Sequence, residues 1–267
     1  MSDLRSHENV ETRLVGAVLH ITLANEKRAN ALSRDAAIFL ADLLDEVSLD
    51  RTDIRGVLIK GAGRHFCAGA DLSGPLIGEK PVNGHMVRSL TGGHHRAVQS
   101  AFDCRIPTVA AVSGRAMGFG LHLAAACDLV VAAEDAIFEE PFTDRGFNVD
   151  SGGSWLLPRL IGPQRAKWML YTAAAIEAAT AVQWGLALEV VPSNEFSARA
   201  EELASLLASR PTQAIGATKR LVDSTGTDLA GAMHAEAMAV ELVLRSKDFA
   251  EGMSAFRDRR DPNFTGR

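Results

Sequence analysis

Cysteine is scarce in this chain: Cys67, Cys104 and Cys127 are the only three, an odd number with no CxxC pair. This excludes a disulfide framework and a cysteine-based structural zinc site, and it fits a reduced intracellular chain. Positive charge is in deficit, with 28 Lys and Arg against 33 Asp and Glu, a formal net charge of -5. Non-specific nucleic-acid binding needs a positive field, so nucleic acid is not expected as a partner. A phosphate-bearing small ligand is compatible, because a few well-placed Arg and Lys side chains suffice for one. The first nine residues are polar and charged, without the apolar run of a signal peptide or the acid-poor pattern of a transit peptide. The chain is therefore expected in the cytoplasm. The longest apolar stretch, Ile106 to Ala133, is interrupted by Arg115, His122 and Asp128 and contains three glycines. It reads as buried core, not as a membrane span. No His/Asp/Glu cluster shows metal-ligand spacing, and no metal is expected.

What is present is an ordinary globular composition: 267 residues, 47% hydrophobic and 23% charged, enough for one large domain or a domain with an appendage. Val10–Val15 and Ala17–Leu23 read as strands of a hairpin around Gly16. Ser33 can cap a helix to about Leu49, with Ala36, Leu40, Leu43, Leu44 and Val47 on one face. Ile54–Lys60 reads as a strand, followed by the glycine-punctuated loop Gly61–Gly69. Leu72 to Gly84 reads as a mobile loop, and one helix is expected from about Met86 to Phe102. Thr108–Val112 is a further strand, leading into the turn Gly114–Gly120 and a small-residue helix Leu121–Ala126. Leu129–Ala132 and Ala136–Phe138 are short strands. Strands alternating with helices point to an α/β fold of repeated ββα units. After Pro192 the pattern is helical, near Glu195–Ser209, Pro211–Ser224, Asp228–Arg245 and Asp248–Arg257. The organisation expected is an α/β core over 1–194 and a helical oligomerisation region over 195–267.

Two glycine-rich turns carry most of the signal. One is His65-Phe66-Cys67-Ala68-Gly69-Ala70-Asp71-Leu72, and the other is Ser113-Gly114-Arg115-Ala116-Met117-Gly118-Phe119-Gly120. Neither is a dinucleotide fingerprint or a phosphate loop: no GxGxxG opens a helix after the first strand, and no Gly-Lys-Ser/Thr follows. Singly, each turn says only that the backbone bends sharply.

Together with Arg28-Ala29-Asn30-Ala31-Leu32, Ile106-Pro107, Asp128, Ser151-Gly152-Gly153, Arg159-Leu160-Ile161-Gly162 and the C-terminal EGMSAF with Arg259 and Arg260, they resemble the crotonase (enoyl-CoA hydratase/isomerase) superfamily over nearly the whole chain. The resemblance implies a spiral of ββα units with a helical C-terminal layer, assembled as a trimer or a dimer of trimers. It implies an acyl-CoA substrate and no cofactor beyond that coenzyme A. It implies that the backbone N–H groups of Ala68 and Phe119 form an oxyanion hole for the thioester oxygen, where developing negative charge is stabilised. It places Lys27 and Arg28 near the CoA phosphates, with Arg259 and Arg260 as further candidates. Ala68, Ala70, Asp71 and Leu72 would line the adenine and pantetheine track.

The acid–base groups depart from the family's hydratase pattern. Where hydratases carry two glutamates, the matching positions are His122 and Phe142. A hydratase must activate water and protonate carbon, so isomerisation is the favoured activity. Asp150, eight positions after Phe142, matches the place where several crotonase-type isomerases carry a lone catalytic Asp. In an apolar acyl pocket its pKa should rise, which suits carrying a proton between carbons. Asp150 could instead cap the helix starting at Ser151. His122 is either a second acid–base group or a polar wall of the pocket. His95 matches a general base of the family's aryl-CoA dehalogenases by its distance to Pro107, although a core or solvated histidine is the plainer reading. Either Glu139 or Glu140 could enter the pocket, a solvated pair being the plainer reading, and Cys67 reads as packing. Phe142, Phe147, Trp155 and Leu156 are candidates for the acyl pocket. The alternatives to an isomerase are a hydratase using His122 or Asp150, and a non-catalytic acyl-CoA-binding homologue.

Overall fold

The computed structural model describes residues 4–73, 84–224 and 228–267. The loop expected at Leu72–Gly84 falls mostly outside the described residues. The chain opens with the antiparallel hairpin β1 (Val10–Val15) and β2 (Val18–Leu23), turning at Gly16. Four strands extend it in parallel: β3 (Gly56–Gly61), β4 (Thr108–Val112), then β6 (Leu129–Ala133) and β9 (Glu189–Val191), in the order β1-β2-β3-β4-β6-β9. A second, three-stranded sheet stands beside it, with β7 (Ile137–Glu139) between β5 (Arg115–Met117) and β8 (Ile176–Glu177). The α/β architecture expected from the alternating pattern is the one observed.

Side-chain alternation sends the large sheet's residues into two cores. Val57, Ile59, Ala110 and Val112 face one side, and Leu58, Val109, Ala111 and Val131 face the other. The first side packs on α1 (Arg34–Asp50), whose Ala36, Leu40, Leu44 and Val47 are almost fully buried at helical spacing. Each such leucine contributes about 1.5–3 kcal/mol relative to an exposed one. The Ser33 hydroxyl accepts from Ala36 N–H at 3.2 Å and starts that helix, as the sequence indicated. The second side is covered by α8 (Phe196–Ala208), through Ala200, Leu203, Ala204 and Ala208. Gly56 permits this approach: a Cβ there would stand 3.1 Å from the Ala208 Cβ.

The helix expected over Met86–Phe102 is two helices, α2 (His85–Thr91) and α3 (His94–Asp103). The adjacent glycines Gly92 and Gly93 break it, with Gly93 at φ −125° and ψ −106°, because glycine has the least to hold it helical. The helix α4 (Phe119–Ala125) follows the second glycine turn and is buried throughout. After β7 come α5 (Gly153–Ile161), α6 (Pro163–Thr172) and α7 (Ala178–Trp184). Beyond α8 lie α9 (Thr212–Asp223), α10 (Leu229–Val243) and α11 (Lys247–Asp258). The C-terminus folds back on α11, where buried Asp248 accepts the N–H groups of Thr265 at 2.7 Å and Gly266 at 2.8 Å. No helix among the described residues is long and apolar enough to cross a membrane.

Candidate active site

The two glycine turns lie against each other. Cys67 N–H donates to the Arg115 carbonyl at 3.0 Å, and Met117 N–H donates to the Cys67 carbonyl at 2.9 Å. A third segment locks onto them. Asn30 is fully buried, gives its amide N–H groups to the carbonyls of Ala62 (2.9 Å) and His65 (2.6 Å), and accepts from Asn25 N–H at 3.0 Å. This places the Ala29 carbonyl against the first turn. Asn30 belongs to a motif that pointed to family membership, but its clamping role was not visible from sequence.

The Ala68 N–H, expected as one donor of the oxyanion hole, is committed to the Ala29 carbonyl at 2.9 Å. It has no proton left for a ligand. In the same turn Asp71 N–H donates to Leu32 O at 2.8 Å, and Gly69 N–H approaches Cys67 Sγ at 3.4 Å. Ala70 N–H, two residues on from Ala68, has no acceptor among the described residues. Phe119 N–H, first of α4, is likewise without one, as the opening amides of a helix are unless capped. The two turns bring these amides close: a Cβ on Gly69 would stand 3.9 Å from Phe119 N and 3.0 Å from the Met117 carbonyl. Gly118 holds φ 49° and ψ −118°, a conformation essentially reserved for glycine, and thereby turns the chain from β5 into α4.

Asp150 is half-buried and accepts the Ser151 hydroxyl at 2.6 Å. Its side chain is not a helix cap: α5 starts at Gly153, and it is the Asp150 carbonyl that accepts from Gly153 N–H, at 3.1 Å. Ser151 (φ 48°) and Gly152 (φ 90°) are successive left-handed residues that set the carboxylate off the helix. A non-glycine residue in that region carries a conformational cost of order 1–3 kcal/mol, a kind of strain that clusters at functional sites. The Asp150 charge raises both His94 and Glu140. His94 packs edge-on to Phe119, with ring centroids 4.8 Å apart, and its Nε2 lies 3.0 Å from the Leu32 carbonyl. Burial pushes His94 below the ordinary histidine range. His95 is half-buried, and its buried Nε2 has no hydrogen-bond partner among the described residues.

Glu139 and Glu140 do not form a solvated pair. Glu139 pairs with Arg115 at 2.8 Å near the surface. Glu140 has no exposed area, and its Oε1 lies 2.9 Å from Nε2 of His122, which is equally buried. The approach is at ion-pair distance but off the line of the ring N–H, so neither atom counts as aligned in a hydrogen bond. The His122 ring lies parallel to Phe142, at 7° and 5.8 Å, and against Gly153, where a Cβ would fall 2.0 Å from Nε2. Burial raises the Glu140 carboxyl, His122 opposes that rise, and Asp150 adds to it. The strand alternation that turns Glu139 outward turns Glu140 inward, and periodicity over so short a strand was too weak a signal to find it.

The remaining candidates divide. Phe142 is buried and would lie 3.4 Å from a Cβ on Gly118, so it borders the turn. Phe147 meets Phe142 edge-on at 5.7 Å and is partly exposed. Trp155 stands apart from that pair. It packs edge-on to Phe102 at 5.2 Å, stacks under the Arg159 guanidinium at 3.7 Å, and lines a cleft of about 710 Å³ between α5 and α9. Leu156 joins the two regions, lining that cleft while lying 3.7 Å from a Cβ on Gly152. Arg28 pairs with Asp71 at 3.2 Å, so two of the expected CoA contacts hold each other at the surface. Lys27 and Leu72 are exposed. Arg260 is forked onto Glu251, at 2.7 and 3.0 Å.

Cys67 is fully buried and burial pushes its thiol up to about 12, with Cys127 at about 12 and Cys104 at about 11. A thiol held protonated is a poor nucleophile. Native protein is expected to resist Ellman's reagent at pH 8, and all three thiols should titrate once the chain is unfolded in guanidinium. Rapid labelling of Cys67 in the folded state would contradict the packing role.

Two amides, Ala70 and Phe119, have no acceptor among the described residues and lie on adjoining turns, with the buried His122–Glu140 pair one helical turn along α4 from Phe119. The chain belongs to the enoyl-CoA hydratase/isomerase family, whose model matches residues 13–267. It is similar to 1,2-epoxyphenylacetyl-CoA isomerase of Escherichia coli (strain K12), 35% identical over 251 residues that cover 94% of this chain and 95% of that one. It is also similar to carnitinyl-CoA dehydratase of Proteus mirabilis (strain HI4320), at 32% identity over 94% of this chain and 96% of the relative. Among solved structures, enoyl-CoA hydratase from Bacillus anthracis superposes with a TM-score of 0.88 at 32% identity, covering 97% of this chain and all of that one.

Proposed function

We propose that this protein isomerises the double bond of an acyl-CoA thioester, with the Ala70 and Phe119 amides holding the enolate oxygen and Asp150 carrying the proton. The observation that carries this reading is the pair of N–H groups on adjoining turns, Ala70 and Phe119, that have no acceptor among the described residues. With the thioester oxygen on the amides, the Asp150 carboxylate takes the proton from C2 of a 3-enoyl chain. The C2–H electron pair becomes the enolate. The protonated Asp150 then returns the proton to C4, and the double bond moves between C2 and C3. Each preorganised amide can lower the barrier by about 3–4 kcal/mol. One shuttle suffices for this, whereas hydration needs a second group to activate water. Phe142, at the place of a hydratase glutamate, carries no titratable proton.

Lys27 and Arg28 would meet the CoA phosphates, and the Asp71 turn would meet the pantetheine. The reading calls for no cofactor beyond the substrate's coenzyme A. α10 exposes Leu229, Met233, Met238 and Leu242, which supports association of copies into a trimer or hexamer.

Incubation with 3-hexenoyl-CoA in deuterium oxide tests the reading. The expected result is conversion to the 2-enoyl isomer with deuterium gained at carbon and no mass gain of water. Addition of solvent oxygen would make the protein a hydratase. Tight thioester binding with no exchange at the carbon next to the thioester would make it a binding protein.

A further inference from the structure

We propose that a cleft at the far end of the large sheet from the glycine turns binds a phosphate-headed amphiphile. The Arg105 and Arg220 guanidinium groups take the phosphate, and an apolar face of α10 takes the hydrocarbon. The site is separate from the acyl-CoA site and does not depend on that reading.

The cleft holds about 620 Å³, within the range of about 300–1,000 Å³ usual for small-molecule sites. It is lined by the segments that lead into β3 and β4, through Ile54, Arg55, Arg105 and Ile106, and by α9 and α10. The glycine turns leave the opposite ends of those same strands, so the length of the sheet separates the two places.

Charge marks the cleft out. Arg51, Arg55, Arg105 and Arg220 line it, and no Asp or Glu does among the described residues, in a chain whose net charge is -5. Two of the four are already engaged. Arg51 is forked onto Asp53 at 2.7 and 2.8 Å, and Arg55 donates to the Phe264 carbonyl. The side chains of Arg105 and Arg220 make no hydrogen bond or ion pair among the described residues.

The packing of α9 brings these two together. Gly216 lets the helix close on the segment before β4: a Cβ there would stand 2.6 Å from the Arg105 carbonyl oxygen and 3.6 Å from the Arg105 Cβ. Arg220 follows Gly216 by one turn on the same face of α9. Side chains on a helix lean toward its N-terminus, so Arg220 leans back over Gly216 toward Arg105. A smaller hollow of about 390 Å³ shares Arg105, Gly216 and Arg220, and its carboxylates, Asp103 and Asp223, pair with neither arginine. Two like charges gathered without a counter-charge repel, and an anion between them reverses the sign of that interaction. A phosphate monoester carries roughly 1.5–2 negative charges at pH 7, which matches two guanidinium groups, and their planar forks suit its oxygens. The hydrocarbon has its own wall. Ala235, Ala239 and Val243 recur every four residues on one face of α10, and Leu49 and Ile54 line the same cleft.

Calorimetry on the intact protein tests the proposal, with octyl phosphate titrated in the presence and absence of hexanoyl-CoA. One octyl phosphate per chain is expected to bind in both cases. Octanol lacks the charge, octanoate carries less of it, and inorganic phosphate lacks the chain; each should bind about tenfold more weakly. Arg105→Gln and Arg220→Gln should each lower the octyl phosphate affinity about tenfold. Both side chains are exposed and unpaired, so the variants should melt with the parent protein. Octanol, octanoate or inorganic phosphate binding as tightly as octyl phosphate would overturn the proposal. So would variants that bind like the parent, or displacement of octyl phosphate by hexanoyl-CoA.

Discussion

Asp150→Asn is expected to lower turnover of a 3-enoyl-CoA by about 10²–10⁴-fold, the usual worth of a positioned general acid–base group. The loss should fall on kcat rather than KM, because the carboxylate acts on the proton and not on the CoA. Stability should change little. The asparagine side-chain oxygen can still accept the Ser151 hydroxyl that sits 2.6 Å from Asp150, and the helix cap is made by the main chain. Thermal melts of parent and variant should therefore nearly coincide, while deuterium uptake at the substrate carbons nearly vanishes. Equal turnover by the two proteins would remove Asp150 from the mechanism.

Gly120→Ala should produce a large loss of stability. The added Cβ would stand 2.3 Å from the Cys67 carbonyl oxygen and 2.8 Å from the Cys67 Cβ. Those are backbone and near-backbone atoms of the neighbouring turn, so no side chain can swing aside. The turns must part. Overpacking of this kind costs about 1–3 kcal/mol, and more where backbone has to shift. For a chain of this size that lowers the melting temperature by roughly 2–4 °C for each kcal/mol. The functional loss should exceed what the stability loss explains. Phe119 N–H is carried on the segment that is pushed, and an error of about 1 Å in a positioning group can cost ~10²-fold. Activity measured well below the variant's melting temperature checks this. A variant that melts and turns over like the parent would show that the two turns are not in the contact described.

Much of the frame was legible in the residues. The hairpin, the Ser33-capped α1, the strands and the C-terminal helices follow from alternation, 3.6-residue spacing and capping chemistry, which are local. The failures share a cause: they depended on partners distant in sequence. The commitment of the Ala68 amide is one. Ala68 and Ala70 are both small residues of one glycine turn, and nothing in the turn tells which amide is free. The answer lies with Ala29, nearly forty positions away, whose carbonyl takes the Ala68 proton. Glu140 is another. Its neighbour Glu139 reaches Arg115 at the surface, while Glu140 meets His122 across α4, a contact between residues eighteen positions apart. Trp155, one of the candidates for the acyl pocket, packs on Phe102 and lines the cleft between α5 and α9, partners that its own segment does not name. The break between α2 and α3 lay within reach, since two adjacent glycines seldom sit inside one helix.

By itself the sequence determined which segments bend, which pair and which chemistry is on hand: two glycine turns, an aspartate before Ser151-Gly152-Gly153, and no excess of positive charge. Those properties are set by side-chain size, periodicity and composition along a continuous stretch of chain. Only the tertiary structure decided which backbone protons were already used and which buried charges met. A hydrogen bond has one proton to give, and its acceptor can come from anywhere in the fold. Among the described residues, the amides of Ala70 and Phe119 are left without an acceptor.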